Sequence, residues 1–380
     1  LGGWAAAHPA GTRWLELYRG LDATEVFHAF HSGAAHRTLA RLPRCAPPAE
    51  AAAVPPPTAL QLSFRALRQE LIDEGWFERD WVQEAGALLG WGAALGAAVL
   101  LAHCGTPELA ALAWAPLGVS HVAAGWLAHD YIHGRGAWCG AMRHFGGVAA
   151  GFGATMWSDK HNVHHAMTNR RGYDEDLSGG PLLWLWSPDP ARDKPWRRAQ
   201  HVYVAALFSL LHVVWRIDSV KVALDRGLRA ELAAIAVHYA VWLATFPPQT
   251  VLAAVLFGGA VMANITSTTH QSEELLDEHE HDWVRAQFDT TRNAVCTNPF
   301  SEWLWGGMQY QVEHHLFPTM PRYRYRKLVP RVKAFAEEHG VEYRESGEFE
   351  IIAMNYGTYA RVAAEAAVPG APASKAGSTV

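Results

Sequence analysis

Of the 21 histidines in this chain, seven fall into three short clusters and an eighth stands where it can complete them. The clusters are His129-Asp130-Tyr131-Ile132-His133, His161-Asn162-Val163-His164-His165 and Gln311-Val312-Glu313-His314-His315, and the eighth residue is His270. Positions four apart share one face of a helix, so His129 and His133 point together, as do His161 and His165, with His164 beside them. His314 and His315 are adjacent; they either need a kinked backbone to converge or serve different metals. Eight imidazoles are too many for one tetrahedral zinc site. They suit two transition-metal ions with open positions, and neutral imidazoles with few carboxylates fit iron or copper better than magnesium or calcium.

Other chemistries find little support. Cys45, Cys104, Cys139 and Cys296 are scattered without a close pair, which predicts neither a thiolate site nor a disulfide framework. The Glu-x-x-His pairs of ferritin-type bundles are missing from the apolar stretches. A net charge of -5 gives no reason to expect nucleic acid. Asp130, Asp159 and Glu313 adjoin the clustered histidines and are placed to accept hydrogen bonds from imidazole N–H groups. The run Asp174-Glu175-Asp176 reads as solvated.

A second histidine pair lies near the N-terminus. His8-Pro9-Ala10-Gly11 precedes Gly20-Leu21-Asp22-Ala23-Thr24 and Phe27-His28-Ala29-Phe30-His31, putting His8 and His31 in separate loops 23 residues apart. Two such histidines can clamp a haem iron from opposite faces. His28 and His36 read as surface residues.

The elements that must position the clusters are apolar helices. Hydrophobic residues make up 50% of the chain and charged residues only 18%, but a mean hydropathy near zero hides their segregation. Ala85 to Cys104 and Leu109 to Ala128 form a tight hairpin of stretches long enough to cross a hydrocarbon core of about 30 Å. Leu232 to Phe246 and Val251 to Thr269 form a second hairpin, turning at Pro247-Pro248-Gln249. Both short connections lack Lys and Arg, whereas residues 129–230 carry thirteen, and Arg322, Arg324, Arg326, Lys327, Arg331 and Lys333 follow the third cluster. The positive-inside rule places these segments and the N-terminus in the cytosol, so four spans put every histidine cluster on one side. Residues 144–157 and 202–214 read as interfacial helices, and 64–80 as an amphipathic helix on the membrane face. Residues 46–62, with Pro47-Pro48 and Pro55-Pro56-Pro57, read as a semi-rigid linker. The small, polar end from residue 368 reads as disordered. The opening Leu1 and the lack of a charged region followed by an apolar core predict no signal peptide and a natural start further upstream.

The three clusters, in the forms HxxxH, HxxHH and QxxHH and in this order, resemble the histidine boxes of membrane fatty acid desaturases. The resemblance extends to Asp159-Lys160 before the second box, Leu207-Phe208-Ser209-Leu210-Leu211 before Trp215-Arg216-Ile217-Asp218-Ser219, and Phe317-Pro318-Thr319-Met320-Pro321-Arg322 after the third. Gln311 at the head of the third box points to the front-end group with a fused cytochrome b5 domain, which residues 1–45 resemble in their HPxG-like turn and in GxDAT leading to FxxFH. Ala10 replaces the second glycine of that turn.

The resemblance implies a mainly α fold: a four-span helical desaturase whose cytosolic helical cap (within 63–350, with 351–380 as a tail) holds a di-iron site, preceded by a partial α+β cytochrome b5-like domain. It implies that His129, His133, His161, His164, His165, His270, His314 and His315 bind two irons, with Gln311 as a weak, water-mediated or outer ligand, and that His8 and His31 bind haem b. Catalysis then needs no side chain beyond the metal ligands. The expected activity is O2-dependent insertion of a double bond between an existing one and the carboxyl end of an acyl-CoA or acyl-lipid. Electrons would come from cytochrome b5 reductase through the fused haem, at an endoplasmic reticulum or plastid membrane. A sphingoid long-chain-base desaturase or hydroxylase, or a non-catalytic membrane haem and metal electron carrier, are the rival readings. Trp126, Trp157, Trp184, Trp186, Trp303 and Trp305 are candidates to line the acyl channel, and Lys160, Arg322 and Arg324 to bind a headgroup or phosphate.

Overall fold

The computed structural model describes residues 8, 13–18, 21–43, 56–177, 180–276 and 282–372. Pro9, Ala10, Gly11, Gly20, Cys45, most of the Pro/Ala-rich stretch and the end of the tail lie outside them. Among the described residues the chain is mainly helical, with one small parallel pair of strands, Asn293–Val295 against Glu345–Gly347.

Three helices are long and apolar enough to cross a membrane among the described residues: Trp81–Ala102, Pro107–His133 (interrupted before Trp114) and Pro248–Thr268. The first starts at Asp80, whose carboxylate accepts from the N–H groups of Val82 and Gln83 at 3.0 and 3.3 Å, satisfying donors that a helix start leaves free. The expected third span differs. Arg229–Thr245 is only 17 residues, about 25 Å, because a turn at Gly227 (φ 66) and the Pro247-Pro248 pair bound it. The expected interfacial stretch at 202–214 is instead part of a bent pair, Pro195–Ser209 and Leu211–Asp225, angled at 58°, which as one unit would make a fourth span.

Beside these helices lies a further helical layer, the cap, with a continuous apolar core. Phe64, Leu67 and Leu71 of the Ala59–Asp73 helix pack with Ala166, Met167, Trp283, Phe288, Val312, Leu316, Phe317 and Leu328, so residues flanking the second and third histidine clusters belong to one core. That helix begins at a Thr58 capping box with Gln61, inside the stretch read as linker. Val26 and Ala29 join the same core, which docks the N-terminal segment on the cap. At the other end, Glu348–Ala364 is a packed helix rather than a tail: Ile351, Asn355, Tyr359 and Val362 recur at helical spacing and are buried.

Candidate metal centre

The second histidine cluster rides on Ala154–Ala166, and its start is tied to two other helices. Gly153 N–H donates to Ser219 Oγ (2.8 Å), and Thr155 N–H donates to the buried Glu231 carboxylate at 3.1 Å. An anion at the first turn also complements the helix dipole. The first cluster ends the Trp114–His133 helix. The third lies on a short helix, Gln311–Leu316, held by Asn293: its Oδ1 accepts from Val312 N–H (2.8 Å) and its Nδ2 donates to Glu313 (2.8 Å), which also accepts from Tyr343 (2.7 Å). Burial pushes the Glu313 carboxyl up to about 7, against the pull of those two hydrogen bonds.

These helices bring all eight histidines together in two groups. One nitrogen from each of His129, His133, His161, His165 and His314 lies within 4.8 Å of every other in the first group, and His164, His270 and His315 form the second under the same limit. The adjacent His314 and His315 therefore serve different groups, their rings almost perpendicular at 88°. In the first group His161 Nε2 faces His129 Nε2 at 3.1 Å and His165 Nε2 at 3.0 Å. A neutral imidazole has a single N–H, so hydrogen bonding alone does not satisfy such a convergence. His314 Nε2, His315 Nε2 and both ring nitrogens of His133 are buried without a hydrogen-bond partner among the described residues. Unpartnered buried nitrogens gathered within each group fit a cation there, and an all-imidazole set free of thiolate fits iron.

The far nitrogens of the second group are fixed individually. His164 Nδ1 pairs with Asp174 at 2.8 Å, His270 Nδ1 with the Thr290 carbonyl at 3.0 Å and His315 Nδ1 with Gln287 Oε1 at 2.9 Å. Such bonds set the tautomer and leave Nε2 for metal. Asn169, held at φ 51, donates to the His270 carbonyl (2.8 Å) and links the second cluster to His270. Gln311 sits beside this group, its amide 2.7 Å from His270 Nε2. Burial holds His161, His165, His270, His314 and His315 well below the usual imidazole range, in the neutral form that metals bind. Burial also pulls His164 down, but the charge and hydrogen bond of Asp174 outweigh it and raise this residue alone.

The carboxylates differ from expectation. Asp130 pairs with Arg79 and accepts from Arg322 N–H (3.1 Å), Asp159 pairs with Arg226 at 2.6 Å, and Glu313 anchors the third helix; among the described residues none of the three bonds to an imidazole. Asp174, read as solvated, is buried and carries that role, because the Gly172 turn (φ 82) folds the chain back onto His164. Its position ten residues after His164, just past a glycine, was the available signal.

Among the tryptophans, Trp157 stacks near the first group, 4.0 Å between ring centroids from His161 and 4.9 Å from His129. Trp126 donates to the Leu304 carbonyl (2.8 Å), Trp305 to Glu348 (3.1 Å), and Trp184 and Trp186 pack in a separate core. Trp303 lines an apolar groove of about 430 Å³ with Gly90, Pro116 and Phe300. Lys160 is paired with Asp176 at 3.0 Å, Arg322 with the Gly306 carbonyl at 2.5 Å and Arg324 with the Glu78 carbonyl at 3.0 Å, so all three have internal partners.

Near the N-terminus, the His8 and His31 rings meet edge-on, with centroids 6.1 Å apart and planes at 60°. His31 Nδ1 bonds to the Phe27 carbonyl (3.0 Å), which leaves Nε2 free. With metal–imidazole bonds of about 2 Å, one iron bound from both sides separates ring centres by roughly 6 Å, so the centroid spacing of the pair matches what axial ligation would need. His28 and His36, both half-buried, pair with each other: His28 Nδ1 lies 2.7 Å from His36 Nε2.

Helices long and apolar enough to cross a membrane, joined to two buried imidazole groups that could each hold a metal ion, define the class of site. The chain belongs to the fatty acid desaturase family, whose family profile matches residues 106–347. It is 31% identical to fatty acid desaturase 3 of Bos taurus over 90% of this chain and 82% of that one. It is 29% identical to a Delta(8)-fatty-acid desaturase of Euglena gracilis, covering 94% and 92% of the two chains, and 29% identical to a Delta(6)-fatty-acid desaturase of Caenorhabditis elegans, covering 92% and 90%. The protein is thus a fatty acid desaturase, an oxidoreductase of lipid metabolism.

Proposed function

We propose that the protein is a front-end desaturase, inserting a double bond between an existing one and the carboxyl end of a polyunsaturated acyl chain carried on coenzyme A or a lipid. The observation that carries this reading is the convergence of eight buried histidines in two groups of five and three, in a chain whose relatives bear Delta(8) and Delta(6) names. Two irons would be held by His129, His133, His161, His165 and His314 in one group and by His164, His270 and His315 in the other, with Gln311 beside the second. When bound, they would supply the O2-derived oxidant that an unactivated C–H bond requires.

The chain's own residues do the rest. Asp174, Thr290 and Gln287 orient the second group, burial keeps most of the ligands neutral, and Trp157 with the cap core excludes water from the first. His8 and His31 would hold haem b, taking electrons from cytochrome b5 reductase, and the enzyme would work in the endoplasmic reticulum membrane with the histidine groups facing the cytosol. Expression in yeast fed individual polyunsaturated acids, followed by lipid profiling, tests this. A new double bond on the carboxyl side of an existing one is expected. A product desaturated only toward the methyl end, or only in sphingoid bases, would contradict it.

A further inference from the structure

The N-terminal segment is clasped to the histidine-bearing helices at a specific place. Tyr18 OH donates to the Ala166 carbonyl at 2.6 Å, Arg68 Nη2 donates to the His28 carbonyl at 2.6 Å, and Arg65 pairs with the buried Glu25 at 2.6 Å. This clasp sets Phe30 over the first histidine group, its ring 6.1 Å from His165 and 6.5 Å from His133 between centroids. The carbonyl of Phe30, bonded directly to the His31 nitrogen, accepts from Arg135 Nε at 2.8 Å and also from its Nη2. Arg135 Nη1 in turn donates to the His133 carbonyl at 2.5 Å. One short chain of covalent and hydrogen bonds therefore joins His31 to His133, and both ends are candidate metal ligands.

We propose that Arg135 and the Phe30 carbonyl form the route by which an electron passes from the N-terminal histidine pair to the five-histidine group. The inference rests on the reading of His8 and His31 as haem ligands. In this step a ferrous haem loses one electron and becomes ferric, and a ferric ion held by the five-histidine group gains it and becomes ferrous. No bond breaks and no proton moves. The guanidinium suits the task because its rigid fork holds two carbonyls at once, which a single ammonium point charge does less well. The Phe30 ring covers the ligands beneath it and keeps water from the gap.

The test uses the full chain in detergent, loaded with iron and haem. The haem is reduced under anaerobic conditions, and its re-oxidation by the ferric site is followed by absorbance. Arg135→Ala is expected to slow that re-oxidation by about tenfold or more with haem content, haem potential and iron content unchanged, while Arg135→Lys recovers part of the rate. In the metal-free protein, Arg135→Ala should also speed amide exchange across residues 24–31, reporting the lost clasp without any turnover. Unchanged re-oxidation in both variants would overturn the route while leaving haem ligation intact. A wild-type chain that binds no haem would overturn the haem reading and the route together.

Discussion

The two histidine groups are built differently, although they share helices and even neighbouring residues. The first gathers five imidazoles, and among the described residues only His314 has a side-chain partner on its far nitrogen, Tyr325 OH at 3.2 Å. The second has three imidazoles, each tethered by Asp174, Thr290 or Gln287, with Gln311 close by. Donor number would hold a metal at the first group, whereas donor orientation would hold it at the second. A metal at the three-histidine group would therefore have fewer protein donors, and its binding would depend more on outer hydrogen bonds.

Deleting one ligand from each group should separate them most strongly. His315→Ala leaves two imidazoles in its group and should lower conversion by at least about 10²-fold, with one of the two irons lost on metal analysis. His314→Ala leaves four in its group and should keep both irons at reduced turnover. Equal iron loss in the two variants would erase the distinction. Asp174→Asn removes the carboxylate that orients His164, and iron affinity at the second group should fall about 10- to 100-fold, measured by competition with a chelator; an unchanged affinity would mean that the contact is incidental. Asn293→Ala breaks the clamp on the third helix and should destabilise the protein by about 1–3 kcal/mol, read as a lower unfolding midpoint in detergent, without preference for either group. The smallest effect belongs to Gln311→Ala, which should retain both irons and change iron affinity by less than about tenfold. A loss matching that of His315→Ala would promote Gln311 to a full ligand.

The histidines themselves were legible because helical spacing is a local property: i and i+4 share a face whatever the surroundings, and His129 with His133 and His161 with His165 do fall in one group. The division into five and three was not, since it depends on how three separate helices meet and on His314 and His315 diverging along a short one. Asp174 was hidden for the opposite reason: an acidic run looks solvated unless the turn at Gly172 is known to bury its first member. The long spans at 81–102, 107–133 and 248–268 followed from composition. The short Arg229–Thr245 helix and the bent 195–225 pair did not, because apolar content alone does not reveal where a helix stops or bends.

Mössbauer spectroscopy of the purified chain loaded with ⁵⁷Fe would distinguish a pair of inequivalent iron sites from a single one. The account predicts two ferric signals of equal area, with His315→Ala removing one of them. A single signal, or one iron per chain in the wild type, would contradict it.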